Sequence, residues 1–169
     1  MHIFHGSDVP VACPQILSSN RLLDFGPGFY TTSSRDQAWR WAQRVGERNK
    51  TRKKVVSSYE FDFEQAKENL ALIEFPVTDI RWLDFVTSCR SGVNPAVYYD
   101  IATGPIANDT VYTTIQLYET GVLSAEETIR RLKVVETGNQ ILFHTEKALT
   151  YCTFVDYLEK DITNGKETI

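Results

Sequence analysis

The chain has 169 residues, a formal net charge of −4, 42% apolar residues and 24% charged ones. That length and usage predict one domain over residues 1–160, with a core that needs no covalent staples, and a frayed tail over 161–169. The acidic balance excludes a nucleic-acid footprint spread over the whole molecule. The three cysteines, Cys13, Cys89 and Cys152, lack the CxxC spacing of a zinc site or redox dithiol, so they read as buried reduced thiols and no metal is expected. No apolar run approaches the ~20 residues that span a bilayer, and the N-terminal segment lacks the basic and apolar regions of a signal peptide. A cytoplasmic protein without a membrane partner is expected.

In chain order, a short strand over 3–5 leads into a long irregular segment over 6–28, punctuated by Pro10, Pro14, Gly26 and Pro27. A loop of that length in a compact domain points to function. Residues 29–32 read as a strand. Ser34 with Gln37 makes a capping-box pattern ahead of a helix carrying Ala38, Trp39, Trp41, Ala42 and Val45. Five cations, Arg48, Lys50, Arg52, Lys53 and Lys54, follow within seven residues and read as a solvated helix end in preference to a phosphate-binding patch, which would matter with a nucleic-acid substrate.

β-Branched and aromatic residues mark strands over 55–63 and 71–75, the second stopped by Pro76. Thr78-Asp79 caps a helix through Trp82, Leu83, Phe85 and Val86 that closes near Gly92. A strand over 97–102 runs into Gly104-Pro105. Two further helices start at Asn108-Asp109 and at the Ser124/Glu127 pair. Strands over 140–144 and 151–158 flank a helical turn at 146–149. Short strands and helices without regular βαβ alternation predict an α+β fold.

Three sites in this pattern carry chemistry. His5 closes the first strand beside Gly6, where an imidazole can bond a sugar hydroxyl and a glycine admits a ligand to the backbone. Taken alone, His5 reads better as a satisfied structural histidine. Gly26-Pro27-Gly28 precedes Phe29 and Tyr30, which a strand places on opposite faces, one toward the core and one toward a cleft. An aromatic face there suits a cationic pyridinium. Gln140 opens a late strand, and Glu146 follows it as an auxiliary acid or base, although its place in a helix first turn explains it without chemistry. Asp100 and Asn108-Asp109 flank Gly104-Pro105, where capping is the simpler role for the latter pair.

Phe4-His5-Gly6-Ser7, then Asp24-Phe25-Gly26-Pro27-Gly28-Phe29-Tyr30-Thr31-Thr32, then Asn139-Gln140-Ile141-Leu142-Phe143, resemble in order the His-Tyr-Glu signature of the ADP-ribosyltransferase superfamily, in its diphtheria-toxin and PARP branch. They look most like a compact bacterial branch of it. The resemblance implies a split pair of small antiparallel sheets with helices outside. It implies NAD as substrate, held by His5, Gly6, Ser7, Gly28, Phe29, Tyr30, Thr31 and Gln140, with His5, Tyr30 and Gln140 as the catalytic set. Pro27 stands where the PARP-like motif has lysine, and Gln140 stands where many members have glutamate. The amide implies transfer of single ADP-ribose units rather than a polymer. An acceptor that is protein or nucleic acid, and an antitoxin partner as in toxin–antitoxin or phage-defence systems, follow by analogy. Two other readings stay open: an NAD- or ADP-ribose-binding module without catalysis, and a plain interaction protein.

Overall fold

The computed structural model describes residues 1–16, 23–93, 97–106, 109–132 and 138–162. Seven strands and six helices lie within them: β1 (His2–Ser7), β2 (Phe29–Thr31), α1 (Arg35–Asn49), β3 (Lys53–Phe61), α2 (Phe63–Asn69), β4 (Leu72–Glu74), α3 (Ile80–Arg90), β5 (Ile101–Pro105), α4 (Asp109–Glu119), α5 (Ala125–Leu132), β6 (Asn139–Phe143), α6 (Glu146–Leu149) and β7 (Cys152–Asp161). They form an α+β fold with two small sheets, one in the order β1-β3-β7 and the other β2-β6-β5-β4. The first is antiparallel throughout. In the second, β4 runs parallel to β5, which corrects the expectation of two wholly antiparallel sheets.

Two apolar clusters cover opposite faces of the second sheet. Phe29, Ile141 and Phe143 join Ile3, Tyr59 and Phe61 of the first sheet on one side. Leu142 and Ala102 meet Phe25, Trp82, Leu83 and Ile115 on the other, with Tyr30 packed against them. Alternate side chains of one strand thus feed two cores.

α1 covers β1 and β3 through Ala38, Ala42, Val45 and Gly46. Ser34 caps it by accepting from the Gln37 backbone N–H at 3.3 Å. The reciprocal half of the capping box is absent: Gln37 Nε2 donates to the Asn139 carbonyl at 2.6 Å, and Thr32 Oγ1 takes the Ser34 N–H. The helix start is thereby tied to the start of β6.

Gly6 is a point of close approach, because a Cβ there would lie 2.2 Å from the Ala38 carbonyl oxygen and 2.9 Å from the Ala42 nitrogen. Both obstacles are backbone, so a side chain must push α1 off the sheet. Gly6→Ala is expected to lower unfolding stability by about 1–3 kcal/mol, the usual range for overpacking, as read by urea denaturation. Stability equal to the parent's would show that α1 shifts without cost.

Several boundaries differ from the sequence expectations. β1 extends two residues past His5. β3 ends at Phe61 because Asp62 turns to cap α2, accepting from the Gln65 N–H; the alternation through Phe63 hid that helix. β5 lies over Ile101–Pro105 rather than 97–102. The Asp100 carboxylate gathers the Ala71 N–H, the Tyr98 hydroxyl and the Thr145 hydroxyl, and these bonds to side chain and neighbouring loops delay the ladder. The thiols also differ: all three are free, but Cys13 is exposed, Cys152 half-buried and only Cys89 buried. Asn108, part of the expected cap of α4, and the tail from 163 on lie outside the described residues.

Candidate functional site

Among the described residues, backbone pairing joins the two sheets at one bridge. Phe4 and Thr32 form a single antiparallel bridge, with backbone N···O distances of 2.8 and 2.9 Å. Odd-numbered residues of β1 bond to β3, as the Met1 carbonyl does with the Phe61 N–H, so the even-numbered ones present N–H and C=O to the opposite edge. Phe4 spends its pair on Thr32. Gly6, two residues on, directs its pair the same way, at the level where β1 and β2 have parted. There the Tyr30 carbonyl takes a side chain: His5 Nδ1 reaches it at 2.7 Å.

A carbonyl only accepts, so His5 Nδ1 carries the proton and the neutral ring keeps Nε2 as an acceptor. The ring lies on Phe29, with centroids 4.5 Å apart. Burial lowers the His5 pKa from 6.5, outweighing the raising effect of the bond to Tyr30. A folded-state value below the unfolded one means that the unfolded chain takes up the proton first. The His5 contribution to stability is therefore complete above about pH 6.5 and is lost as pH falls from there through the folded-state value. Urea unfolding at stepped pH should show a steeper decline for the parent than for His5→Asn. Equal declines would show that His5 is not the group responsible.

Tyr30 is half-buried, and its hydroxyl is locked into the turn before it, donating to the Gly26 carbonyl at 2.7 Å and accepting from the Phe25 N–H at 3.1 Å. Burial raises its pKa well above 10.0. The same turn is held by three more side chains. Tyr99 donates its hydroxyl to the Phe25 carbonyl at 2.7 Å. His144, stacked on Tyr99, bonds the Pro27 carbonyl through Nδ1 at 2.7 Å. Arg90, at the end of α3, pairs with Asp24 through Nε at 2.9 Å and its terminal nitrogen at 2.7 Å.

Gln140 is only 7% exposed. Its Nε2 donates to Asp24 Oδ2 at 3.0 Å and to the Pro105 carbonyl at 3.2 Å. Both neighbours are acceptors, which places the amide oxygen on the other branch. Asp24, Gln140 and Arg90 thus form a buried chain in which a carboxylate stands directly behind the amide.

The structure therefore brings Tyr30, Gln140 and Asp24 to one face of the second sheet, while His5 joins them through the Tyr30 carbonyl from the Phe29 side. The remaining expected contacts have other work. The buried Phe29 ring is stacked by His5 and packed by Tyr59 and Phe143, so it has no face to offer a ligand. Thr31 Oγ1 donates to the Ile141 carbonyl and Ser7 Oγ to the Val9 carbonyl. A Cβ on Gly28 would lie 2.3 Å from the Phe143 carbonyl oxygen, so that glycine serves strand packing. Gly6 likewise owes its identity to α1, leaving only its backbone for a ligand. Glu146 accepts from the Ile16 N–H at 3.2 Å and belongs to the start of α6.

Sequence reasoning gave Asp24, Arg90 and Tyr99 no role. Asp24 opens the glycine turn and was legible as its first residue; Arg90 and Tyr99 lie 66 and 74 positions from their partners and left no local signal. A shallow concavity of about 550 Å³, lined by Phe61, Phe63 and Tyr151 among others, shares no residue with this constellation. Among the described residues no helix is long and apolar enough to cross a membrane, and no group of three or more His, Cys, Asp or Glu is placed to hold a metal.

Residues 1–154 match a family described as Protein of unknown function (DUF3990), and the chain belongs to that family. No curated protein and no solved structure matches the chain.

Proposed function

We propose that this member of the DUF3990 family is a mono-ADP-ribosyltransferase that binds NAD where the two sheets part. The observation that carries the reading is the ending of the β1–β2 ladder after Phe4–Thr32, which aims the Gly6 N–H and C=O at the gap between the strands. A paired backbone donor and acceptor matches the carboxamide of nicotinamide. The ordered resemblance of the His5, Tyr30 and Gln140 segments to the ADP-ribosyltransferase signature supports the same ligand.

In this reading the His5 Nε2 accepts from a ribose hydroxyl, and the Tyr30 ring stacks on the pyridinium. The bond between ribose C1′ and the nicotinamide nitrogen breaks, with both electrons leaving on nicotinamide. The oxocarbenium-like carbon is then attacked by a nucleophile of the acceptor, which gives its proton to solvent. Gln140 Oε1 accepts from the ribose 2′-hydroxyl, and Asp24 adds negative charge behind the amide as positive charge develops. A cytoplasmic setting, a protein or nucleic-acid acceptor and an antitoxin partner complete the proposal by analogy with compact toxins of this kind. The neutral amide of Gln140 favours a second reading, an NAD- or ADP-ribose-binding module without turnover.

Calorimetry with NAD tests the binding half. Tyr30→Ala should weaken affinity about tenfold or more through loss of the stack. Tyr30→Phe should keep that affinity while losing stability, because its ring stays and the Phe25 and Gly26 groups lose their partner. Unchanged NAD affinity in folded Tyr30→Ala would remove Tyr30 from the site.

A further inference from the structure

Charge is distributed very unevenly along the chain. Residues 35–54 hold eight of its 18 Lys and Arg and two of its 22 Asp and Glu, a local charge of +6, so the rest of the chain carries −10. α1 turns that run into a surface. Its buried residues, Ala38, Ala42, Val45 and Gly46, face the first sheet, and the i, i+4 spacing of Arg40, Arg44 and Arg48 stacks three exposed guanidinium groups on the opposite side. Lys50 and Arg52 follow the helix end in the chain, both exposed and both with positive φ. Among the described residues Arg40, Arg48, Lys50 and Arg52 form no ion pair with a carboxylate. Trp41, 46% exposed, stands beside the stripe.

We infer that the outer face of α1 binds single-stranded nucleic acid. Successive arginines of the stripe are ~6 Å apart along the helix axis, comparable to the step between neighbouring phosphates of an extended strand. A cationic track with an exposed aromatic beside it is the arrangement that holds such a strand, the cations following phosphates and the indole stacking a base. The strongly acidic remainder repels a polyanion, so the strand is confined to this face rather than spread over the molecule. α1 also begins beside Asn139, the residue before Gln140, through the Gln37–Asn139 bond; the track thus leads toward the Gln140 site. This surface does not depend on NAD chemistry and stands or falls separately from it.

The test is fluorescence anisotropy of labelled oligo(dT) and oligo(rU) of about 12 nucleotides, titrated with the full chain across about 50–200 mM salt. Binding to either oligonucleotide is expected, the tighter one naming the sugar preferred. Arg40→Gln/Arg44→Gln/Arg48→Gln, which keeps good helix formers, should lower the salt slope of log affinity by about 2, near 0.7 per lost phosphate contact on a single strand. Trp41→Ala should weaken binding roughly tenfold. Circular dichroism checks that both variants fold. Absence of binding to both oligonucleotides at the lowest salt, equal binding by the folded triple variant, or a preference for vesicles of equal parts phosphatidylserine and phosphatidylcholine would overturn the proposal.

Discussion

Gln140→Ala is expected to slow nicotinamide release by about 10²–10³-fold while leaving NAD affinity nearly unchanged, because the contact proposed for it with the 2′-hydroxyl would strengthen only as charge develops on the ribose. Single-turnover release measured at saturating NAD reads the rate, and calorimetry reads the affinity. Gln140→Glu is more revealing still. A carboxylate at that position would lie at hydrogen-bonding distance from Asp24, since Nε2 now sits 3.0 Å from Oδ2, and two anions so close cannot both ionise freely. The single variant should therefore gain little rate at neutral pH. Gln140→Glu/Asp24→Asn, which keeps a hydrogen-bonding partner without the second charge, should release nicotinamide faster than the single variant. Release unaffected in Gln140→Ala would eliminate the residue from the reaction.

Asp24→Ala should be the most destabilising substitution at the site. Its carboxylate is nearly covered and joins Arg90 to Gln140. Removing one member of a buried ion pair leaves the other charge poorly solvated, at a cost of about 3–5 kcal/mol. For a chain of this size that corresponds to a fall in Tm of roughly 6–20 °C. Asp24→Ala/Arg90→Met separates the pair from the rest, because replacing both charges by apolar groups is often close to neutral. Thermal unfolding should show the double variant more stable than Asp24→Ala alone. If Asp24→Ala melts with the parent, the ion pair contributes nothing and the anchoring of the glycine turn rests on Tyr30, Tyr99 and His144.

What the sequence revealed of this molecule follows from how local each signal is. Ser34, Asp79 and the Ser124/Glu127 pair announce helix starts because capping is decided within four residues, and α1, α3 and α5 begin where those caps stand. The opposite facing of Phe29 and Tyr30 follows from strand geometry alone. The Phe61–Phe63 alternation misled because Asp62 can be a strand residue or a helix cap with the same neighbours. At the candidate site, His5, Tyr30 and Gln140 could be named from the sequence as single residues, whereas the Asp24 carboxylate behind the amide depends on a contact across 116 positions. Glycine identity was legible and its cause was not: Gly6 and Gly28 look like openings for a ligand, yet each is demanded by a neighbouring backbone.

The measurement that bears most directly on the account is incubation of the purified chain with NAD labelled separately in the nicotinamide and in the adenylate, with and without a cell lysate. Cleavage at the nicotinamide–ribose bond predicts free labelled nicotinamide from the parent and adenylate label carried onto an acceptor in the lysate, both lost in Gln140→Ala. Intact NAD after incubation, together with no heat of NAD binding by calorimetry, would contradict it.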